Sequence, residues 1–175
     1  SDGEFAATHR PAAMYRAPDG REFAERDAYR KYMREEFFTF RGREGEVLTK
    51  RGGDIDGQAF ELSELRDCTV QLLDRANQVT GDDLTGCRVF IGPTESSVFL
   101  RNCVDCTFTV ACNQLRLRDC HNCVVRLYSQ TDPVIETSAG VTFSPYNGAF
   151  AGQAEAFAAA RLDPTDNHWR NVFDF

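Results

Sequence analysis

The sequence from about Phe60 to Phe143 repeats short alternating runs with a period near 18 residues. Shifts of 19, 19, 17 and 18 residues align one column, which reads Cys68, Cys87, Cys106, Cys123 and Val141. Later columns read Val70, Val89, Phe108, Val125 and Phe143, then Leu72, Ile91, Val110 and Leu127. Further sets are Val79, Val98 and Leu115, and Leu84, Cys103 and Cys120. Such columns predict an all-β parallel β-helix, in which coils of two or three short strands stack on one another.

The two flanks of the repeat predict the covers that the open ends of a solenoid need. Residues 21–38 have helical periodicity, and residues 148–161 are rich in alanine and favour a helix. One apolar face of the first helix would consist of Tyr29, Tyr32, Met33 and Phe37. Asp19, just before the helix, would be its N-terminal cap. We therefore expect an N-terminal arm and helix over residues 1–46 and a β-helix domain with a C-terminal helical cap over residues 47–175.

Charge and cysteine content exclude several classes of protein. The formal net charge of -7 argues against a nucleic-acid partner, because phosphate binding needs a basic face, and it favours a partner with a basic patch. No apolar run approaches the roughly 20 residues of a membrane span. The odd count of 7 cysteines and the absence of a signal peptide indicate a reducing, cytoplasmic compartment. No Met-Gly acylation signal is present, so we assign no lipid anchor.

The pairs Cys103–Cys106 and Cys120–Cys123 have the spacing of a four-thiolate zinc site. Their columns favour another interpretation, because Val141 and Leu84 stand at equivalent positions in other coils. A position that accepts valine or leucine is an inward apolar position, where a free cysteine behaves as a small buried hydrophobe. We therefore predict a structural cysteine ladder and no metal site, with zinc as the alternative.

The outward face of the strand around Leu115 and Leu117 carries a pair of arginines. If these leucines point inward, Arg116 and Arg118 point outward together with Gln114. One coil earlier the same face carries Ser97, Phe99 and Arg101, and one coil later Asp132, Val134 and Glu136. Glu136 would lie beside Arg118 and could hold a guanidinium through paired hydrogen bonds. The alternative is an ordinary solvated face with a weak salt bridge.

No other constellation in the sequence predicts chemistry. His9, His121 and His168 are far apart in the chain, and neither a phosphate-binding loop nor a dinucleotide-binding motif is present. The sequence thus offers no self-contained active site, so whether the chain counts as an enzyme stays open. This favours a protein that acts on another protein.

Five segments of the chain are specific enough to compare with a known family. They are Gly53-Asp-Ile-Asp-Gly-Gln-Ala-Phe60, Val98-Phe-Leu-Arg-Asn-Cys-Val-Asp-Cys106, Ala111-Cys-Asn-Gln-Leu-Arg-Leu-Arg-Asp-Cys120, Pro133-Val-Ile-Glu-Thr-Ser138 and Asn167-His-Trp-Arg-Asn-Val-Phe-Asp-Phe175. These segments resemble the cofactor C-like (C-CAP/CARP) domain of the tubulin-binding cofactor C family. The resemblance covers about residues 47–175, and its most specific element is the Gln-x-Arg-x-Arg strand. The last segment favours the branch of the X-linked retinitis pigmentosa 2 protein.

This resemblance implies a right-handed β-helix that activates GTP hydrolysis by an Arf-like small GTPase. The family's arginine finger matches Arg116, and its supporting residues match Gln114, Glu136 and Arg118. The resemblance also assigns partner contacts to Phe175 and the neighbouring Phe173. The partner would carry the GTP and Mg²⁺, so no cofactor is expected in this chain. The implied location is the ciliary base, the basal body or the cytoskeleton.

One position departs from the family pattern, and two other functions stay open. Asn113 stands where the family usually has glutamine, which would weaken a contact to the GTPase. Within the family, the alternative function is tubulin assembly, with the same arginine acting on tubulin GTP. A third function is a non-enzymatic scaffold that binds actin or another protein. The retained Gln-x-Arg strand argues against a scaffold, which needs no arginine finger.

Overall fold

A computed structural model describes Gly3 and residues 14–175, and most of these residues lie in short β-strands. The strands are β1 (Tyr15–Arg16), β2 (Glu22–Phe23), β3 (Thr39–Glu44), β4 (Val47–Lys50), β5 (Phe60–Arg66), β6 (Thr69–Leu72), β7 (Val79–Thr85), β8 (Arg88–Val104), β9 (Thr107–Arg118), β10 (Val124–Ser129), β11 (Val134–Glu136), β12 (Thr142–Pro145) and β13 (Phe173–Asp174). The helices are α1 (Arg26–Phe37) and α2 (Gln153–Ala159). Among the described residues, no helix has the length and apolar character to cross a membrane.

The chain divides into two compact units, Ser1–Phe37 and Phe38–Phe175. In the first unit, β1 pairs with β2 in an antiparallel ladder, and aromatic rings of α1 pack on both strands. The Tyr29 ring stacks on Tyr15 at 5.5 Å, and the Tyr32 ring lies 5.0 Å from Phe23. The predicted arm over the first residues of the chain lies largely outside the described residues.

Helix α1 begins later than the sequence predicts. The expected helix over 21–38 is wrong at its start, because Glu22 and Phe23 pair as a strand with Arg16 and Tyr15. The expected cap Asp19 instead accepts hydrogen bonds from the Arg21 N–H, at 3.0 Å, and from the Tyr32 hydroxyl. Strand pairing therefore decides where this helix can begin.

The second unit is a parallel β-solenoid, which confirms the predicted fold class. The long strands β8 and β9 each bend between two faces of the coil. The first face contains β4, β6, the start of β8, the start of β9, β10 and β12, and the second face contains β3, β5, β7, the ends of β8 and β9, β11 and β13. The solenoid thus includes β3, which lies within the predicted N-terminal segment 1–46.

The apolar columns predicted from the repeat form the core. One register runs Val70, Val89, Phe108, Val125 and Phe143, and the next runs Leu72, Ile91, Val110 and Leu127. All seven cysteines are free and buried. Apolar side chains cover the ends of this core, with Phe38 and Phe40 at the first coil and Trp169 and Val172 at the last. The predicted ladder of inward residues is therefore confirmed.

Two columns of residues with a left-handed backbone conformation (positive φ) turn the chain between the faces. One column contains Glu64, Asp83, Asn102, Asp119 and Thr137, and the other contains Gly45, Asp67, Gly86, Asp105, Asn122 and Gly140. Glycine, asparagine and aspartate tolerate this conformation best, which explains their recurrence beside the cysteines. The corners thereby keep successive coils in register.

The C-terminal segment packs on the side of the solenoid and then adds a strand to it. Phe157 of α2 packs in an apolar cluster with Ala111 and Tyr128. The segment after α2 returns to the second face, where β13 pairs with β11. This path places the last aromatic residues of the chain on the same sheet as Arg116.

Candidate functional site

Strand β9 holds its arginines between buried leucines. Leu115 and Leu117 are 0% and 1% exposed, and Arg116 between them and Arg118 after them are exposed. Successive side chains of a strand point to opposite faces, so the two leucines fix which way the arginines point. Arg116 is thus anchored on a rigid element with its guanidinium directed outward.

Backbone pairing extends the site across the second face. Arg116 is in register with Phe99 on one side and Val134 on the other, and Val134 is in register with Phe173. In the next rung, Arg118 is in register with Arg101 and Glu136. The neighbours expected one coil earlier and one coil later are confirmed at these positions.

The ring of Phe99 supports two guanidinium groups. The guanidinium carbon of Arg116 lies 5.5 Å from the ring centroid, and that of Arg101 lies 5.3 Å from it. Cation–π contacts of this kind contribute about 0.5–1 kcal/mol at exposed sites. The repeat predicts Phe99 on this face but gives it no role. The alignment of Phe99 with Arg116 in the repeat is the sequence signal that identifies it as a neighbour of this arginine.

Glu136 is next to Arg118 in the sheet but does not hold its guanidinium. The carboxylate within 4.0 Å of Arg118 is that of Asp119, with 3.9 Å between Nε and Oδ2. Arg101 in the same rung pairs with Asp82, with 3.2 Å between Nη2 and Oδ2. Among residues 14–175, no ion pair joins Glu136 to Arg116 or Arg118. The register expected for Glu136 is confirmed, while the paired hydrogen bonds expected from its carboxylate are absent from this conformation.

The C-terminal aromatic residues lie at the edge of the arginine face. The Phe173 N–H donates to the Pro133 carbonyl at 2.8 Å, and the Phe175 N–H donates to the Ile135 carbonyl at 3.0 Å. The two phenylalanine rings contact each other at 4.7 Å and are 56% and 74% exposed. Such exposed apolar surface beside cationic groups is typical of a protein-binding surface.

Gln114 and Asn113 occupy the start of the same strand segment. Gln114 is exposed and in register with Ser97 of the neighbouring coil. Asn113 is half-buried, and its carbonyl accepts hydrogen bonds from the N–H and the hydroxyl of Thr131, each at 2.9 Å. Gln114 therefore lies on the open surface near Arg116, while the backbone of Asn113 is fixed by the next coil.

His168 forms a contact that sequence reasoning missed. Its Nδ1 lies 2.9 Å from Oδ1 of Asp132, and its Nε2 lies 2.9 Å from Oδ1 of Asp166. The hydrogen bond to Asp132, followed by that to Asp166, raises the pKa of His168 above its usual value. Asp132 is 36 residues away in the chain, so no local pattern could reveal this pairing.

The cysteines with zinc-like spacing lie in the core and hydrogen-bond to the backbone. The Cys106 thiol donates to the carbonyls of Leu84 and Val104 at 3.4 and 3.3 Å, and the Cys103 thiol donates to the Arg101 carbonyl at 3.3 Å. Within the described part of the chain, no group of three or more His, Cys, Asp or Glu side chains is arranged to hold a metal ion. These contacts support the interpretation of the cysteines as structural.

Most of the solenoid matches known proteins in sequence. The family model for tubulin binding cofactor C matches residues 57–175. Bovine "Tubulin-specific chaperone C" is 33% identical over 136 residues, which are 78% of this chain and 39% of that protein. Chicken "Protein XRP2" is 38% identical over 138 residues, which are 79% of this chain and 39% of that protein.

A solved structure, "Tubulin Binding Cofactor C from Leishmania major", has the same fold. It is 21% identical with a TM-score of 0.55, and the match covers 78% of this chain and 79% of that one. The curated relatives include both tubulin-specific chaperones and XRP2 proteins, so assignment to the retinitis pigmentosa 2 branch stays a prediction. The chain spans about two fifths of the length of these curated relatives. The chain belongs to the tubulin binding cofactor C family.

Proposed function

We propose that this domain stimulates GTP hydrolysis by a bound partner and that Arg116 supplies the guanidinium. The observation that carries the proposal is the placement of Arg116 on a strand between two buried leucines, with its guanidinium in a cation–π contact with the ring of Phe99. Among the described residues, no carboxylate lies within ion-pair distance of Arg116. Its positive charge is therefore available to a partner.

The chemistry of phosphoryl transfer explains why such an arginine accelerates hydrolysis. Charge spreads over the γ-phosphate oxygens in the transition state, and a guanidinium supplied by a second protein stabilises it. An arginine acting in this way contributes about 10³–10⁵ in rate. The partner would bring the nucleotide, the Mg²⁺ and the attacking water, and the solenoid would bring one well-positioned cation.

The first candidate partner is tubulin. Several curated relatives are named tubulin-specific chaperones or tubulin-folding cofactors, and the match with them includes the whole arginine strand. In this proposal, Arg116 reaches the GTP of tubulin while Arg118, Gln114 and the tail aromatic residues contact the protein around it. Glu136 would orient Arg118 once the interface excludes water, because a lower dielectric constant strengthens the attraction between opposite charges.

Single-turnover GTP hydrolysis by tubulin tests this proposal. We expect the wild-type domain to stimulate hydrolysis and Arg116→Ala to lose stimulation while binding is largely kept. Arg66→Ala is the matched control, because Arg66 is an exposed arginine on β5, three strands from β9 along the same sheet. If Arg116→Ala stimulates as well as the wild type, the finger assignment is wrong.

An Arf-like small GTPase is the second candidate partner. The Gln114-x-Arg116-x-Arg118 strand and the Phe173–Phe175 tail are the features that resemble the retinitis pigmentosa 2 branch. The XRP2 relatives add support to this candidate. The same assay with GTP-loaded Arf-like GTPases separates the two partners. Stimulation of the small GTPase alone, dependent on Arg116, would favour this candidate over tubulin.

A further inference from the structure

The first face of the solenoid has no carboxylate in its outward rungs. One rung consists of Val47, Thr69, Arg88, Thr107, Val124 and Thr142, and the next consists of Thr49, Gln71, Phe90, Thr109, Arg126 and Ser144. The chain as a whole has 27 acidic and 20 basic residues. A face with two arginines and no acidic residue therefore differs in charge from the rest of the protein.

A cleft of about 280 Å³ opens on this face. Arg88 and Arg126 line it at diagonally opposite positions, with Thr107 and Thr109 between them. Phe90 forms one wall, and contacts of its ring with Phe150, at 5.7 Å, and Tyr146, at 6.3 Å, hold it in place. The cleft thus combines cations, hydroxyl groups and one fixed aromatic ring.

Both arginines of the cleft lack an internal acidic partner. Within residues 14–175, no carboxylate lies within 4.0 Å of the guanidinium of Arg88 or Arg126, whereas Arg75 and Arg101 elsewhere in the solenoid are ion-paired. The carboxylate of Asp105, at the corner just before β9, instead accepts a hydrogen bond from the side-chain amide of Asn122 at 2.6 Å. The positive charge of the cleft is therefore uncompensated by the protein itself.

We propose that this cleft docks an acidic, extended polypeptide segment of a partner protein. Charge complementarity carries the inference, because carboxylates accept charge-assisted hydrogen bonds from exposed guanidinium groups. The Cα atoms of Arg88 and Arg126 lie two strands and two residues apart, a diagonal of about 12 Å. The arginines can therefore contact two acidic side chains of one segment, while Phe90 packs on an apolar part of the same segment.

A nucleic acid fits this face less well than an acidic peptide. Nucleic-acid grooves carry continuous basic tracks that follow the phosphate backbone, and this face presents two separate cations on a protein of net charge -7. The threonine hydroxyls can also bond to the amide groups of a peptide backbone. The site lies on a different face from Arg116, so the inference stands independently of the proposed function.

Fluorescence polarisation with a labelled octapeptide of alternating Glu and Gly, in which one central Gly is replaced by Leu to contact Phe90, tests the proposal. We expect saturable binding that weakens with added salt and that falls about tenfold or more in the double variant Arg88→Gln/Arg126→Gln. The matched control is Arg66→Gln/Arg116→Gln, which removes the same charge from the second face. It should bind the peptide normally and lose GTPase stimulation. Thermal unfolding should be similar in both double variants.

Other probes define the outcomes that would overturn the inference. A peptide with Gln in place of Glu should bind at least tenfold more weakly, and equal binding would exclude charge recognition. A thymidine octanucleotide that binds more tightly than the acidic peptide, with the same dependence on Arg88 and Arg126, would assign the face to nucleic acid. No peptide binding at about 1 mM, or equal loss in both double variants, would also contradict the proposal.

Discussion

The ring of Phe99 lies 5.5 Å from the guanidinium carbon of Arg116, and the two residues are in register on adjacent coils. The coil before the arginine strand therefore supplies the surface on which the arginine rests. Arg101 shares the same ring, so the arginines of successive coils are arranged around one aromatic side chain. A long, flexible side chain is thereby limited in its orientations before any partner binds.

Replacement of Phe99 by alanine should lower GTPase stimulation while leaving the fold intact. The cation–π contact is worth about 0.5–1 kcal/mol, so we expect a two- to fivefold lower single-turnover rate. Thr80→Ala is the control, because Thr80 lies in the same rung on the far side of Phe99 from Arg116. A rate for Phe99→Ala equal to that of Thr80→Ala would exclude support of Arg116 by the ring.

The repeat made the solenoid and the arginine face predictable. Inward columns of Val, Leu and Cys define both the register and the outward neighbours of Arg116, because side chains alternate along each strand. The period therefore predicted that Phe99, Val134 and Glu136 would lie near the arginines, and the observed register agrees. Contacts that follow from periodicity need no knowledge of the rest of the chain.

Other contacts depend on paths and rotamers that the repeat does not determine. The start of α1 is decided by pairing between Phe23 and Tyr15, which a helical pattern cannot reveal. The bonds of His168 require the C-terminal segment to return to the last coil. The position of the Glu136 carboxylate depends on side-chain rotamers in an exposed place, where ion pairs contribute little.

Replacement of Phe175 by alanine should weaken complex formation with the GTP-binding partner. Phe175 is 74% exposed, packs against Phe173 and lies at the edge of the arginine face. Truncation of a hot-spot residue at an interface costs about 2 kcal/mol or more, so for Phe175 in that role we expect about a thirtyfold weaker affinity. Calorimetric titration measures the change. Val47→Ala removes a comparably exposed apolar side chain from the first face and should bind normally.

Replacement of Cys106 by valine should preserve the fold. Cys106 is 2% exposed in a column that also holds Val141, and similar-sized apolar exchanges usually cost less than about 1.5 kcal/mol. Urea unfolding measures the change, with Cys106→Asp as the contrasting variant, which should lose several kcal/mol by burying a charge. Metal analysis of the wild type completes the test. One stoichiometric zinc, lost in Cys106→Val together with stability, would contradict the ladder interpretation.

The buried thiols of the solenoid should react slowly with thiol reagents in the native protein. All seven cysteines are 0–2% exposed, so reagents have little access to their sulfur atoms, and burial also raises the pKa of the Cys112 thiol, which lies outside the two cysteine columns. We expect labelling to be slow under native conditions and to reach all seven cysteines after denaturation. Rapid labelling of several thiols in the folded protein would show that the coils open readily.

His168 should make the stability of the C-terminal segment dependent on pH. The hydrogen bonds to Asp132 and Asp166 raise its pKa in the folded state above the ordinary 6.5. Its stabilising contribution is therefore fully present below pH 6.5 and is lost as the pH rises through the higher folded-state pKa.

In thermal unfolding, His168→Ala should differ most from the wild type near about pH 6 and least near about pH 8.5. Asp132→Asn should reduce the pH-dependent part of this difference, because it removes the first acceptor. Parallel curves of stability against pH for the wild type and His168→Ala would show that the charged histidine does not stabilise the C-terminal segment.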